Sequence, residues 1–488
     1  GALGRAKLRE GRTQPGHAGW TWHCACKVQE RKGRCRKMVG EERAREVVEA
    51  AISACRADAA EAVLRCEVDN LTRFANSEIH QNTSVVSSML LIRAVCGTRE
   101  GWATTNQLTL EAAQEAAARA VETAMVQPEN PDFPGLAGPA TYEEADGYDE
   151  GTASFSSRER AEAVQKIIAL ADMHQLLASG ALRTRVTGTA IANSRGVHAW
   201  MQGTDSAIST VVMTGYESDA GSGHAEAASR CVCDLDVQSI GEKAVEKCLS
   251  SRGPGDVEPG VYEAVLEPAA VVDMMGTLAS MGINGISFIE GRSWASGRIG
   301  SRVTSDMVTI EDNWHDPGLL PLPFDLEGVP RRPVMLIERG VASGMIFDRT
   351  AAKKGEAEST GHALAGGGLR GGYPLHLVMR SGESSLEEMV ADTRRGIYVT
   401  RFNYTNPVHP MKTIFTGMTR DGTYLIEDGR IVRPLRNLRF TDSILDGIFV
   451  NIVAMSRDTE LLPVVGGRGI YRAPAIKTAK LNFTGATA

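Results

Sequence analysis

The chain has 488 residues, of which 42% are hydrophobic, 23% charged and 5% aromatic. That balance fits a globular protein of roughly two to four domains and excludes a largely disordered chain, a collagen-like repeat and a coiled coil. The net charge of -7 is uneven: residues 1–37 hold ten Lys and Arg against Glu10 and Glu30, so this segment is +8 and the remainder -15, a poor match for nucleic acid or anionic lipid.

In chain order, residues 1–37 contain no apolar stretch of the kind that marks a secretory leader. They are read as a basic extension, disordered or upstream of a misplaced start at Met38. His23, Cys24, Cys26 and Cys35 match no standard zinc spacing. Val47, Val48, Ala51, Ile52 and Cys55 recur at helical spacing across 41–55. Strand-like runs follow at 61–68, 84–96 and 102–106. An Ala-rich helix is predicted at 109–125, with Thr109 as its cap. Residues 127–153, rich in Pro, Gly and acid, read as a long loop. A helix is expected at about 157–178, strands at 181–192, 197–202 and 206–215, and a helix at about 237–250. Long helices covering one face of a largely antiparallel sheet are the natural outcome. The segment 221–230, "GSGHAEAASR", places His224 and Glu226 among glycines and reads as a loop.

The segment 250–260, "SSRGPGDVEPG", is the strongest linker signal in the chain. It divides an N-terminal α/β domain, 38–252, from a C-terminal domain, 253–488. Beyond it come one helix at about 268–280 and many short strands, at 332–338, 343–347, 396–401, 412–417 and 422–427. The C-terminal half is therefore β-rich and barrel-like, and the fold class is α+β. No apolar run approaches the ~20 residues of a membrane-spanning helix. The nine cysteines, an odd count with none after Cys248, suit free thiols in the cytoplasm.

Chemistry is sparse at the level of short motifs. There is no Gly-x-Ser-x-Gly elbow and no Walker motif. "AGGGLRGG" at 365–372 reads as a flexible turn. A catalytic zinc needs about three protein ligands, yet no two of the ten histidines are closer than six residues. A site would have to gather ligands from distant loops. His224, His315, His362 and His409 lie in turn-rich polar sequence, and an isolated surface or packing role is the simpler reading of each.

Longer stretches are more specific. "TRFANSEIHQN" (72–82), "NSRGVHAW" (193–200), "LPFDLEGVPRRPVMLIERGVASGMIFDRTAAKKGEAESTGHA" (322–363) and "GMTRDGTYLIEDGRIVRPLRNLRFTDSILD" (417–446) resemble the motifs of the TldD/PmbA family, also called modulators of DNA gyrase. The resemblance runs from about Met38 to Ala488. It implies a two-domain fold with a β-rich second half, and a cytosolic metalloprotease acting on small or unfolded peptides. TldD-type members carry His-Glu-x-x-x-His on a helix and a late Cys ligand. Here the matching helix is 266–282, with Val272 and Thr277 at the histidine positions and Asp273 near the glutamate, and the late Cys is missing. That pattern resembles the PmbA, or TldE-type, branch that lacks the metal motif.

The resemblance therefore implies no cofactor in this chain, with zinc expected only in a TldD-type partner, and dimerisation with that partner or with a second copy. Asn284, Glu290 and Arg292 in "NGISFIEGRSW", together with Asp325, Asp348 and Arg349, are candidates for peptide binding or for shaping a site. Catalytic candidates for a stand-alone homodimeric peptidase are His224, His362 and His409. A peptide-binding module without enzymatic activity is the third reading. Membrane and direct nucleic-acid partners are not expected.

Overall fold

The computed structural model describes residues 38–217, 219–364, 371–464 and 469–486. The basic extension 1–37 and most of the Gly-rich 365–372 lie outside the described residues.

The N-terminal half begins with α1 (Glu41–Ala54), β1 (Ala59–Ala75), β2 (Glu78–Cys96), β3 (Arg99–Thr105) and α2 (Leu110–Val126). It continues with α3 (Glu150–Ser154), α4 (Ser157–Met173), β4 (Leu177–Asn193), β5 (His198–Met213), β6 (Ser222–Ser229) and α5 (Val237–Ser250). The strands form an antiparallel sheet in the order β3-β2-β1-β4-β5-β6. Strand alternation sends Ala62, Leu64, Leu90, Ile92, Ala190 and Ala192 to one face, where α1 and α2 cover them. On the same face, Leu182, Ile208, Val212 and Ala225 are covered by α4 and α5.

Small residues set the closeness of this packing. A Cβ on Gly101 of β3 would lie 2.1 Å from the Ala120 carbonyl of α2, and one on Gly223 of β6 would lie 2.1 Å from the Ala244 carbonyl of α5. Each glycine lets a helix backbone rest on a strand. Thr109 caps α2 by accepting from Ala112 N, as its position predicts, and Ser156 and Glu159 form a capping box on α4.

The C-terminal half runs β7 (Gly260–Leu266), α6 (Pro268–Ser280), α7 (Gly285–Ile289), β8 (Ile310–Asp312), β9 (Val334–Glu338), β10 (Val341–Ala342), α8 (Arg349–Lys354), β11 (Leu377–Met379) and α9 (Leu386–Ala391). Then follow β12 (Arg395–His409), β13 (Ile414–Glu427), β14 (Arg430–Pro434), β15 (Leu438–Ser443), β16 (Ile452–Pro463) and β17 (Ile470–Ala486). Because β17 pairs with both β15 and β7, the strands β7, β12, β13, β15 and β17 close into a barrel. β11, β8, β9 and β10 extend the sheet from β17. The molecule is thus α+β, with a helix-covered sheet followed by a barrel. The core of the second half gathers Val271, Met274, Met275 and Leu278 of α6 with Phe402, Phe415, Phe440 and Phe483 of the barrel strands.

Several local expectations are corrected. Strands expected at 197–202 and 206–215 are one strand, β5, because Asp205 at the polar break pairs with Arg185 on β4 at 2.8 Å. The runs 412–417 and 422–427 likewise belong to one strand, β13, which begins after Thr413. Residues 343–347 are not a strand: the Ser343 and Phe347 amides bond to Leu336 O and Thr360 Oγ1 instead of a ladder. The 221–230 segment is the strand β6 and not a loop, its glycines serving helix packing. α4 stops at Met173, short of 178, and His174–Gln175 turn the chain into β4. Among the described residues no helix is long and apolar enough to cross a membrane.

Candidate functional site

The face of the N-terminal sheet away from its helices is charged, and it meets the C-terminal half. Glu61 and Arg93 face each other across β1 and β2 at 2.9 Å, and Arg93 also reaches Glu100 at 3.1 Å and Glu327 at 3.6 Å. The Trp102 ring packs on the Arg93 guanidinium, 4.9 Å away. Burial pushes Glu327 up to about 8, with Asp325, Glu61 and Asp348 adding to the rise and Arg93 opposing it. Further along the same face, Arg183 makes two 2.7 Å bonds to Asp69, next to the Arg185–Asp205 pair. These arginines, with Arg65, line a cavity of about 470 Å³ closed on the other side by Leu320, Phe324, Arg331 and His376.

Asp312 lies behind that wall. It is fully buried, accepts from Arg331 at 2.8 Å and from the His376 amide at 3.0 Å, and its Oδ1 stands 3.0 Å from His362 Nε2. Burial alone would raise its pKa. Arg331 and His362 outweigh that and hold it well below the usual carboxylate range. Burial and the neighbouring Arg331 keep both His362 and His376 neutral, His376 down to about 3.

The second cavity, of about 290 Å³, lies between β6, α6 and β12 and is lined by Glu226, Ala269, Asp273, Arg401 and the run Phe402–Thr405. Glu226 enters because alternation on β6 turns it, with His224, away from the helix face that Ala225 occupies. Asp273 comes from the first turns of α6 and accepts from Thr405 Oγ1 at 3.1 Å, while its Oδ2 is buried without a hydrogen-bond partner. Arg401 is held by Asp421. Burial pushes Asp273 up to about 6 against the opposing Thr405 bond and Arg401. It pushes Glu226 up to about 7 against Arg401, with Glu460 and Asp273 adding to the rise. The register of β12 with β13 slips between Asn403 and Asn406. This bulge carries Tyr404 at φ 51°, a residue 73% exposed that lines the cavity.

The three candidate histidines are not brought together. His224 stands on β6 with Nε2 3.1 Å from Ser209 Oγ, and burial holds its pKa well below the ordinary value. His362 sits in the Asp312 cluster, and His409 is exposed at the end of β12. His315 pairs with Glu143 on the surface at 2.8 Å. Asn284 caps α7, Glu290 ends it, and Glu290 pairs with Arg292. Asp325 accepts from the amides of Glu327, Val329 and Ala363. Asp348 caps α8, and Arg349 donates to the carbonyls of Pro134, Gly135 and Leu136, tying the long loop to the C-terminal half. Val272 is 3% exposed and Thr277 8%. Among the described residues no three His, Cys, Asp or Glu side chains are grouped to hold a metal ion. Sequence reasoning missed Asp312, Arg331, Arg401 and the Glu61–Arg93–Glu327 cluster. The alternation of Glu61, Val63 and Arg65 on β1 was the available signal for a charged second face.

Comparison with known proteins matches two stretches of the chain to one family. Residues 259–485 match the model of the PmbA/TldA metallopeptidase C-terminal domain, and residues 60–124 match PmbA/TldA metallopeptidase domain 1. The chain belongs to the TldD/PmbA family. It is 24% identical over 239 residues to a metalloprotease of Methanothermobacter thermautotrophicus, covering 48% of this chain and 51% of that protein. It is 22% identical over 283 residues to a metalloprotease PmbA homolog of Buchnera aphidicola, covering 57% and 59%. The chain spans about half the length of the curated relatives it matches first. The crystal structure of TldE from Thermococcus kodakarensis superposes with a TM-score of 0.83 at 21% identity, over 91% of this chain and all of that one, which shows a shared TldD/PmbA fold.

Proposed function

We propose that the chain is a cytoplasmic PmbA/TldE-type subunit of a TldD/PmbA metalloprotease system that processes small or unfolded peptides, and that it is the partner without zinc. The carrying observation is α6. Where the resemblance puts two histidines, this helix has Val272 and Thr277, and Val272 is packed into the core. Val272 offers no donor atom. The acids nearby, Asp273 and Glu226, share their cavity with the Arg401 guanidinium. A cation beside two carboxylates is a poor setting for a zinc ion, which takes thiolate, imidazole and carboxylate ligands in tetrahedral array. The missing late Cys supports the same reading, because no cysteine follows Cys248.

In this role the barrel and the charged sheet face would shape a peptide chamber, and zinc chemistry would belong to a TldD-type partner. The test is metal analysis of the chain purified from its native host, together with a pull-down. Expected are no stoichiometric zinc, a co-purifying homologue bearing His-Glu-x-x-x-His, and peptide cleavage only by the pair. Chelator-sensitive cleavage by the isolated chain would instead establish a stand-alone peptidase. Peptide binding with neither partner nor cleavage would leave a binding module.

A further inference from the structure

The 290 Å³ cavity is lined by two acids, Glu226 and Asp273, and one guanidinium. Its one lining guanidinium, Arg401, donates from Nε to Asp421 at 2.8 Å. Lys247, whose charge acts on Glu226, is held by Glu267 at 2.6 Å. His224, 3.8 Å from Glu226, is buried and neutral. Among the described residues no Lys or Arg nitrogen lies within ion-pair distance of Glu226 or Asp273, and Asp273 Oδ2 lacks any hydrogen-bond partner. The larger cavity differs: its Arg183 and Arg185 are already matched by Asp69 and Asp205.

We infer that the cavity between β6, α6 and β12 binds a primary ammonium group, the α-amine of a peptide or a lysine side chain, between Glu226 and Asp273. An ammonium brings three donors and one positive charge. That suits Asp273, whose Oδ2 has no hydrogen-bond partner, and Glu226, which no Lys or Arg reaches among the described residues. A guanidinium would duplicate Arg401, and a divalent ion would find two carboxylates next to a fixed cation. The size fits as well: 290 Å³ admits an amine with a short side chain and leaves the rest of a peptide to exit past Tyr404. Tyr404, carried outward by the bulge in β12, puts an aromatic ring at the mouth, where it can flank a cation.

This inference stands apart from the proposed pairing with a metal-bearing subunit. Amine binding by the isolated chain survives a pull-down that finds no partner, and its absence leaves the partner proposal intact. The experiment is isothermal titration calorimetry of the purified chain with three probes: the tripeptide Ala-Ala-Ala amide, its N-acetylated form, and Nα-acetyl-lysine methylamide. Expected is binding of the first or the third, with the acetylated tripeptide weaker by about tenfold or more. The identity of the stronger probe distinguishes an α-amine from a lysine side chain. Asp273→Asn and Glu226→Gln should each weaken binding about tenfold at pH 8 with an unchanged circular dichroism spectrum. Tyr404→Ala should cost about threefold. Equal binding of blocked and free tripeptides, no binding of either free amine, or a response to Mn²⁺ with none to amines would each overturn the inference. The blocked-versus-free comparison is made on the unmodified chain and holds even if a variant fails to fold.

Discussion

Asp312 and Asp273 are both withdrawn from water, yet their charges are treated in opposite ways. Asp312 meets Arg331, the His376 amide and His362, and its pKa is held well below the ordinary range. Asp273 meets one threonine hydroxyl, and its pKa is pushed up to about 6. Burial raises both; the difference lies in the partners. Both Asp312 carboxylate oxygens are partnered within the C-terminal half, although Arg331 Nε and His376 Nδ1 beside them are buried without a hydrogen-bond partner. The Asp273–Glu226 pair has spare capacity, and it opens onto a cavity.

The largest effect should come from breaking the Asp312–Arg331 pair. Arg331→Ala leaves Asp312 as an uncompensated buried charge and is expected to cost about 3–5 kcal/mol in denaturant unfolding. A cost under about 1 kcal/mol would show that Asp312 takes a proton instead and that the two aspartates do not differ as described.

Next come the acids of the open cavity. The Glu226 carboxyl is raised from 4.5 to about 7 in the fold. A raised carboxylate stabilises most below its unfolded pKa, and that contribution is lost as pH rises through the folded value. Between about pH 4.5 and 7 the native chain should therefore lose on the order of 3 kcal/mol through this group. Glu226→Gln should flatten that part of the profile and be the more stable protein at pH 8. A Gln variant that retains the full slope would assign the slope to other groups. Asp273→Asn should act in the same sense at lower pH, between the ordinary value of 3.8 and the folded value of about 6. NMR titration of the labelled carboxyl carbons checks both midpoints.

Smaller is the effect of Thr405→Ala, which removes the hydrogen bond to Asp273 Oδ1. It should cost about 1 kcal/mol above pH 7, where Asp273 is ionised, and less at pH 5. A pH-independent loss would mean that the hydroxyl serves the β12 bulge and not the carboxylate. Thr109→Ala, which removes the α2 cap far from both aspartates, supplies the reference of about 1 kcal/mol with no pH dependence in this window.

Much of the architecture was present in local pattern. α6 was expected at 268–280 and runs Pro268–Ser280, because Pro268 starts a helix well and the apolar residues Ala269, Ala270, Val271 and Val272 follow it. Thr109 was the expected cap of α2 and is one. Two of the errors originate in glycine and charge. Gly221 and Gly223 looked like turn residues, yet Gly223 lies in a strand where α5 leaves no room for a side chain. Asp205 looked like a break in β5, yet it answers Arg185 one strand away. The candidate site was least visible. Glu226, Asp273 and Arg401 are separated by 47 and 128 positions, and nothing local marks them as neighbours.

Local sequence was enough for the family and for most of the helices and strands, since these are properties of short segments and of residue identity. Only the tertiary structure decided which charges are spent on one another and which face a cavity. The energy of a buried carboxylate depends on the few ångströms around it, and those neighbours arrive from strands and helices far apart in the chain.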